Sequence, residues 1–192
     1  ASSLLELPTD RPRPSIQSYS GARESVILPC ELSVAIKSLS RSEGGTPFIT
    51  LLAAFQVLLY RYTGEEDILV GSPIANRTRM EIENLIGFFV NTLVLRSDLS
   101  GNPSFREFLH QVRKAALEAY AHQDLPFEKL VEELQPERSL SYSPLFQVMF
   151  AYQNTPSGSL EMSNLTLTPI EVDSKTAKFD LTLFVNETDQ GF

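Results

Sequence analysis

A glycine and a long run of strand-forming residues stand together at Leu85-Ile86-Gly87-Phe88-Phe89-Val90-Asn91-Thr92-Leu93-Val94-Leu95-Arg96. From Phe88 to Arg96 the residues are mostly aromatic, β-branched or aliphatic, which predicts a strand. Gly87 at its entrance indicates a sharp bend or a close approach of other backbone. If the polar pair Asn91-Thr92 is buried it must form hydrogen bonds, because an unpaired amide or hydroxyl there costs about 1–3 kcal/mol. The pair therefore ties two strands together or faces a wet channel, and the residues alone favour a packed strand with a satisfied asparagine.

Outward from this stretch, predicted strands and helices are mixed along the chain. The central strand continues to about residue 99, and apolar runs or period-two alternation predict further strands at 24–31, 67–75, 146–154, 165–168 and 181–185. Helices are predicted at 33–43, 46–64, 104–120 and 124–136. The mixture predicts an α/β sandwich.

Two of these helices carry clear end signals. Thr46 is the expected N-cap of one helix, with Pro47 in its first turn and Gly64 at its end. Ser104 and Glu107 form a capping box for another. Their apolar stripes predict the core and comprise Phe48, Leu51, Leu52, Phe55, Leu58, Leu59 and Tyr62 in the first helix and Phe105, Phe108, Leu109, Val112, Ala116 and Ala119 in the second.

The composition is that of one folded domain. The chain has 192 residues, of which 42% are hydrophobic and 21% charged, which is enough for a sizeable core. Its 24 acidic and 16 basic residues give a net charge of −8, which argues against nucleic-acid binding. The lone Cys30 is expected to be a small apolar filler and, with no secretory signal at the start, it indicates a reducing cytoplasm. The longest apolar run, 48–60, is too short to cross a membrane.

Residues 1–24 have the composition of an extended leader. Pro8, Pro12 and Pro14 fix the backbone and remove amide donors, so this segment is expected to be a linker and not a core element. Such a leader suggests a joint with a larger unit upstream. We therefore expect a linker over 1–24 and a folded unit over 25–192.

Three blocks, in order, resemble core motifs of the condensation domains of nonribosomal peptide synthetases. The stretch 86–92 with Arg96 resembles the fifth motif, His-Gln-Asp-Leu-Pro-Phe-Glu at 122–128 resembles the sixth, and Arg-Ser-Leu-Ser-Tyr-Ser-Pro-Leu-Phe at 138–146 resembles the seventh. The likeness extends from about Leu7 to the end of the chain. It implies a two-layer α/β sandwich that is one lobe of the chloramphenicol-acetyltransferase-like (CoA-dependent acyltransferase) fold. The blocks correspond to the C-terminal lobe, with the N-terminal lobe missing.

The resemblance also implies an activity for the parent protein. Condensation domains join a donor acyl or peptidyl thioester to the amine of an acceptor aminoacyl thioester, both carried on phosphopantetheine arms. No cofactor is expected to bind directly, and the implied partners are the N-terminal lobe, peptidyl carrier proteins and an adjacent adenylation domain. The family's catalytic signature, His-His-x-x-x-Asp-Gly, does not occur, since His110 and His122 are isolated, and no Cys/His cluster has metal-ligand spacing. This chain alone is therefore expected to be inactive.

The resemblance places several residues at the tunnel between the two lobes. It implies that Gly87, Phe88 and Asn91 line or shape one wall of the tunnel. Gln147, in the strand predicted at 146–154, is a further candidate for a channel wall. Arg77 is either a solvated loop arginine or a brace for the aspartate of the missing motif.

The sixth block lies where two predicted helices meet. His122 has the chemistry of a general base, but no nucleophile is near it in sequence, so a joint histidine that hydrogen-bonds backbone is favoured. Asp124 is expected to cap the following helix, with Pro126 in its first turn and Phe127 opening its apolar stripe.

Two other functions stay open. The chain could be a non-catalytic module that docks a carrier protein or a neighbouring domain. It could also come from an epimerisation or heterocyclisation domain of the same fold, although its motif residues resemble the condensation type more closely. In the seventh block Arg138, Ser143 and Pro144 are expected to be structural, and Ser143 departs from the asparagine that many relatives have there.

Overall fold

The computed structural model describes residues 4–153, 165, 170, 174–188 and 191–192. In these residues the helices are α1 (Cys30–Ser42), α2 (Pro47–Thr63), α3 (Met80–Glu83), α4 (Phe105–Ala121) and α5 (Phe127–Leu134), and the strands are β1 (Asp67–Ile74), β2 (Asn91–Asp98), β3 (Val148–Gln153) and β4 (Leu181–Asn186). The α/β class predicted from the sequence is confirmed.

The four strands form one mixed sheet in the order β2-β1-β3-β4. β1 and β2 are antiparallel, with Asp67 opposite Asp98 and Ile74 opposite Asn91. β3 runs parallel to both β1 and β4. Parallel neighbours need long crossover connections, and α4 and α5 lie in the connection between β2 and β3.

The core lies between the sheet and a helical layer. α2 and α4 pack against each other, α2 also packs on β1 and α4 on β2, while α1 packs against α2. Leu52, Phe108 and Phe150 are fully buried at this junction. Each such side chain contributes about 1.5–3 kcal/mol by leaving water, so these two layers supply the rigid platform for the loops at the sheet's ends.

The end signals of α2 and α4 are confirmed, and both apolar stripes are partly wrong. The Thr46 side chain accepts a hydrogen bond from the Ile49 amide at 3.4 Å, and Gly64 has φ 74°. Both halves of the capping box that begins α4 are present. Leu58 and Tyr62 are exposed, however, because the buried face of α2 is turned towards Ile49, Ala53 and Gln56. Phe105, the first residue of α4, is exposed as well.

The predictions for residues 24–43 are wrong in three respects. No strand forms at 24–31, because outside α1 the described residues give this segment a single backbone hydrogen bond, from the Leu28 amide to the Phe192 carbonyl at 2.9 Å. The helix begins at Cys30 with Pro29 as N-cap, and not at Ser33. Cys30 is exposed and is therefore not an apolar filler.

Residues 4–24 contain no helix or strand element, but they are not excluded from the core. Leu5 is buried with the core residues and Leu7 packs against them. Farther along, Arg13 forms a bidentate pair with Asp180, with one hydrogen bond of 3.0 Å. Proline removes backbone donors, but the apolar residues between the prolines can still be buried. The strand predicted at 165–168 lies outside the described residues, apart from Leu165 itself.

Candidate functional site

The loop 75–90 leaves the sheet between its first two strands. Because Ile74 and Asn91 are paired across β1 and β2, the loop begins and ends at the same end of the sheet. It contains the short helix α3, in which no residue is buried. Loops carried by a rigid scaffold often present binding residues, and the first half of the stretch 85–96 lies in this loop.

Arg77 closes the loop on itself. Its Nη1 donates hydrogen bonds to the carbonyl oxygens of Ile82 and Glu83, the latter at 3.1 Å. Its guanidinium carbon lies 4.3 Å from the centre of the Phe89 ring, which is a cation–π contact. A lysine ammonium cannot combine this stacking with forked donation. The contacts give Arg77 a role inside the loop that the sequence did not predict, and they leave the brace to another lobe as a proposal.

Apolar side chains project from this loop into solvent. Ile86 is fully exposed, and 92% of Phe88 is exposed. Gly87 between them lies so close to Phe89 that a Cβ there would be 3.0 Å from ring atom Cε2. The chain bends at Gly87, which is one of the two alternatives expected there, and its close neighbour is a side chain and not other backbone.

The strand predicted from Phe88 begins three residues later. β2 starts at Asn91, because its partner β1 ends at Ile74. Asn76 then adopts φ 52°, a left-handed conformation that turns the chain away. Residues 87–90 have the composition of a strand, but β1 offers them no backbone to pair with.

Asn91 joins β2 to the connection between α4 and α5. Its Nδ2 donates hydrogen bonds to the carbonyl oxygens of Gln123 at 2.9 Å and Leu125 at 2.8 Å. Its Oδ1 accepts from the amides of Phe127 at 3.0 Å and Thr92 at 2.8 Å. Asn91 is only 9% exposed. These four hydrogen bonds therefore satisfy an amide group that is largely shielded from water. It connects a strand to a helix joint, and not two strands.

His122 is a joint residue in the structure. It is the C-cap of α4, and its backbone amide donates a hydrogen bond to the carbonyl oxygen of Ala119 at 3.1 Å. Its carbonyl oxygen accepts one from the Leu125 amide at 3.1 Å. The side chain is exposed. These backbone contacts support the structural interpretation of His122.

The prediction that Asp124 caps α5 is wrong. Pro126 occupies the N-cap position, and no cap side chain bonds to the helix from there. Asp124 lies three residues before the helix begins, and the Phe127 amide is satisfied instead by Asn91. A cap supplied from a distant strand cannot be read from the local sequence.

Gln147 lies inside the chain and not on a channel wall. Only 2% of it is exposed. Its Oε1 accepts a hydrogen bond from the Leu5 amide at 2.8 Å, and its Nε2 donates one to the carbonyl oxygen of Ser143 at 3.0 Å. The structure therefore contradicts the channel position predicted for Gln147 and shows it fastening the leader to the seventh block.

The seventh block is a docking site for the leader. The Ser141 hydroxyl donates to the carbonyl oxygen of Pro14 at 2.6 Å, and the Gln17 amide donates to the carbonyl oxygen of Leu140 at 2.9 Å. The Pro144 carbonyl accepts from the amide of Phe146, whereas Arg138 is exposed.

An aromatic cluster connects the sixth and seventh blocks. The Phe146 ring lies 5.5 Å from that of Phe127 and 5.3 Å from that of Phe179. Phe146 also covers Gly71 in β1, where a Cβ would lie 2.7 Å from ring atom Cδ2 and closer still to two other ring carbons. The need for a glycine at position 71 is a feature that sequence analysis missed, since nothing local to Gly71 signals the ring above it.

Two ionic groups lie on the sheet. Arg96 of the quoted stretch holds Asp67 through two hydrogen bonds of 2.8 Å, and these keep the pKa of Asp67 below its ordinary value. At the far end of β3, burial and a 2.8 Å hydrogen bond to Glu187 raise the pKa of the Tyr152 phenol. Lys37, 2.6 Å from Glu187, and Tyr152 hold the pKa of that carboxyl below its ordinary value.

Two kinds of feature are absent from the part of the chain that the structure describes. In residues 4–153 and the shorter described segments, no three His, Cys, Asp or Glu side chains are grouped to hold a metal ion. No helix among the same residues is long and apolar enough to span a membrane. The polar atoms of Asn91 are engaged within the chain. Loop 75–90 exposes charged residues at 79–83 and an apolar surface at 85–90.

Comparisons with known proteins agree with this architecture. A family model described as "Condensation domain" matches residues 2–192. A linear gramicidin synthase of Brevibacillus parabrevis is 60% identical over 193 residues, covering 100% of this chain and 2% of that protein. Phosphinothricin tripeptide synthetase PhsB of Streptomyces viridochromogenes is 46% identical over 191 residues, covering 98% of this chain and 16% of that protein. The chain thus spans a small part of the curated relatives that it matches.

Solved structures confirm the predicted fold. A holo four-domain nonribosomal peptide synthetase bound to AMP and glycine superimposes with a TM-score of 0.89 at 25% identity, covering 98% of this chain and 15% of that chain. The X-domain from teicoplanin biosynthesis gives a TM-score of 0.87 at 28% identity, covering 100% of this chain and 44% of that chain. The α/β architecture is that of the chloramphenicol-acetyltransferase-like fold.

Proposed function

Because the chain belongs to the condensation-domain family of nonribosomal peptide synthetases, we propose that it is the C-terminal lobe of a domain that forms peptide bonds. In this proposal residues 25–192 are the lobe, and residues 1–24 link it to an N-terminal lobe that carries the catalytic histidines. A reducing cytoplasm is the proposed compartment, since the single cysteine is an exposed thiol. The fold and the identity of 60% with a linear gramicidin synthase support the proposal.

The proposed reaction is the transfer of an acyl or peptidyl group between two thioesters. The amine of the acceptor aminoacyl thioester attacks the carbonyl carbon of the donor thioester. A C–N bond forms, the donor C–S bond breaks, the amine loses a proton, and the donor phosphopantetheine thiol is released. Since both substrates are tethered to carrier proteins, most of the rate gain comes from holding the amine and the carbonyl together. In this scheme the lobe supplies one wall of the tunnel between the two lobes. An adjacent adenylation domain loads the carrier proteins with their aminoacyl groups.

The observation that carries the proposal is the apolar surface of loop 75–90. Ile86 and Phe88 are exposed on a loop that Arg77 holds together through two carbonyls and the Phe89 ring. Exposed apolar side chains on a fixed loop mark an interaction surface. We assign this surface to the contact with the N-terminal lobe and the tunnel, with Gly87 shaping the loop and Asn91 fixing the strand behind it.

Arg77 is proposed to work on both sides of this contact. Its Nη1 serves the loop carbonyls, so Nε and Nη2 are the atoms proposed to hold the carboxylate of the missing motif's aspartate. A guanidinium can do both because its five N–H donors point in different directions within one plane. Lysine offers one compact charge and cannot.

The test uses the two-lobed parent with loaded donor and acceptor carrier proteins, and follows the dipeptidyl product by mass spectrometry. Arg77→Ala and Arg77→Lys should both lower the rate, while Arg79→Ala, an exposed neighbour, should leave it unchanged. Hydrogen exchange of residues 80–90 separates the two roles of Arg77. If both Arg77 variants loosen the loop and the rate stays unchanged, the brace to the other lobe is refuted.

The chain alone, without the histidine motif, is proposed to be inactive. Purified 1–192 would be mixed with the same loaded carriers. Dipeptidyl product above the background without enzyme would show that this chain catalyses the step by itself, and the assignment as an incomplete lobe would then be wrong.

A second candidate function is a docking module without turnover. It is favoured by the likeness to the teicoplanin X-domain, which has also been solved in a complex with OxyB, at a TM-score of 0.87 and 28% identity. A parent that binds loaded carriers but releases no condensed product would support this candidate. A product with an inverted stereocentre or a newly formed ring would indicate the epimerisation or heterocyclisation type.

A further inference from the structure

We propose that the docked leader controls the local stability of α5, acting through a strained turn at Leu145. The leader holds the turn, the turn sets the position of Phe146, and Phe146 holds the first residue of α5. The device is read from the conformation of the chain without any turnover, so it stands or falls separately from the proposed reaction. If residues 1–24 link two lobes, as proposed above, it gives a movement between the lobes a route to α5.

The strained turn lies between Pro144 and Phe146. The Phe146 amide donates a hydrogen bond to the Pro144 carbonyl at 2.9 Å, and Leu145 between them has φ 66°. A three-residue turn with positive φ at its centre is the rarer and more strained form of the γ-turn. Leucine has a Cβ and therefore adopts this backbone conformation only at a cost. Such a conformation persists where the surrounding contacts enforce it.

The leader holds the chain ahead of the turn. The Ser141 hydroxyl donates to the Pro14 carbonyl at 2.6 Å. Arg13, beside Pro14, donates to the Ser141 carbonyl at 3.4 Å and forms the bidentate pair with Asp180. Arg13 therefore fixes the middle of the leader against two separate segments, the seventh block and the residues that lead into β4.

The leader also holds the chain after the turn. The Leu5 amide donates to Oε1 of Gln147 at 2.8 Å, and Nε2 of the same side chain donates across the turn to the Ser143 carbonyl at 3.0 Å. Leu145 lines a small cavity together with Leu4 and Leu5. Its side chain therefore faces the leader, and lifting the leader would remove contacts from both sides of the turn.

Phe146 connects the turn to α5. Only 2% of Phe146 is exposed, and its ring lies 5.5 Å from the ring of Phe127, the first residue of α5. No residue of α5 is buried, and the Phe127 amide bonds to Oδ1 of Asn91 at 3.0 Å. A helix with so few buried side chains opens locally at low cost. A displaced Phe146 would remove the ring contact that supplements the bond to Asn91, and α5 would open more often.

Substitution of Arg13 tests whether the leader controls α5. In the two-lobed parent, hydrogen exchange would be read at the Phe127 and Val131 amides of α5 and at the Leu52 amide in the core of α2. Arg13→Ala should speed exchange in α5 about two- to fivefold, the range for losing a partly exposed ion pair, and leave Leu52 unchanged. Arg11→Ala, at an exposed neighbour in the leader, should change neither. Unchanged exchange in α5, or an equal acceleration at Leu52, would overturn the proposal.

A matched pair of substitutions at position 145 tests the turn itself. Isoleucine and methionine are both close to leucine in size, but a β-branched side chain is disfavoured far more strongly at positive φ. Leu145→Ile should therefore speed exchange at Phe127 and Val131 about fivefold or more relative to Leu145→Met. Equal exchange in the two variants would show that the turn does not hold α5, and the proposal would fail. Should Leu145→Ile not fold, the comparison of Arg13→Ala with Arg11→Ala decides the proposal alone.

Discussion

Replacing Asn91 by alanine should destabilise the fold more than any exposed substitution near it. The change removes three hydrogen bonds between β2 and the α4–α5 joint, to Gln123, Leu125 and Phe127. Each contributes about 1 kcal/mol net, and because water can reach part of the joint we expect a loss of about 2–4 kcal/mol. For a unit of this size that lowers the melting temperature by roughly 5–15 °C.

Asn91→Asp separates the roles of the two ends of the amide. The carboxylate keeps an acceptor for the Phe127 amide but loses both donors, and it sets a negative charge against the carbonyl oxygens of Gln123 and Leu125. We therefore expect aspartate to be no better than alanine, although it is nearly the same size. Thr92→Ala, at a half-buried neighbouring site, is the control and should cost less.

The assay is thermal unfolding of the two-lobed parent, combined with hydrogen exchange read at the Phe127 amide. Exchange at Phe127 should accelerate in both Asn91 variants and not in Thr92→Ala. A shift of the melting temperature by less than about 2 °C in Asn91→Ala, or an Asn91→Asp variant as stable as the parent, would refute the reasoning.

Three further predictions follow from the packing and charges. Gly71→Ala should strongly destabilise the fold in thermal unfolding, since a Cβ there collides with the Phe146 ring, whereas Gly45→Ala, with its nearest atom 3.7 Å away, should change little; equal shifts would contradict the packing argument. His122→Ala should lower turnover of the folded parent by far less than the hundredfold typical of a lost general base. The lowered pKa of Glu187 means that its contribution to stability is present above the ordinary glutamate pKa, near 4.3, and is lost as the pH falls through the lower folded value. Glu187→Gln should therefore make the free energy of unfolding less sensitive to acid below about pH 4. An unchanged pH dependence of unfolding would contradict the stabilising contacts of Glu187 with Lys37 and Tyr152.

Local signals in the sequence predicted the elements whose causes are local. Thr46 and Gly64 bracket α2 as expected, and Ser104 begins α4 with its capping box. Caps and turns depend on residues within one or two turns of each other, so a linear pattern carries them. β1 was also predicted from a local pattern, since the buried run that begins at Ile68 is followed by polar residues.

Predictions failed where the deciding partner is distant in sequence. Asp124 was expected to cap α5, but Asn91 satisfies the first amide of that helix from 36 residues away. Gln147 was expected at a channel, but the Leu5 amide, 142 residues away, holds it in the interior. A polar side chain in an apolar run must find a partner, and the sequence does not say which one.

What the sequence determined by itself is the α/β class, most of the helices and strands, and the family that the three ordered blocks indicate. These follow from residue spacing, which each short stretch carries alone. Only the tertiary structure decided where β2 begins, what Asn91 holds, and which way loop 75–90 presents Phe88. The physical reason is that a strand needs a partner backbone and a buried polar group needs a partner atom, and both are supplied by chain folding back from elsewhere.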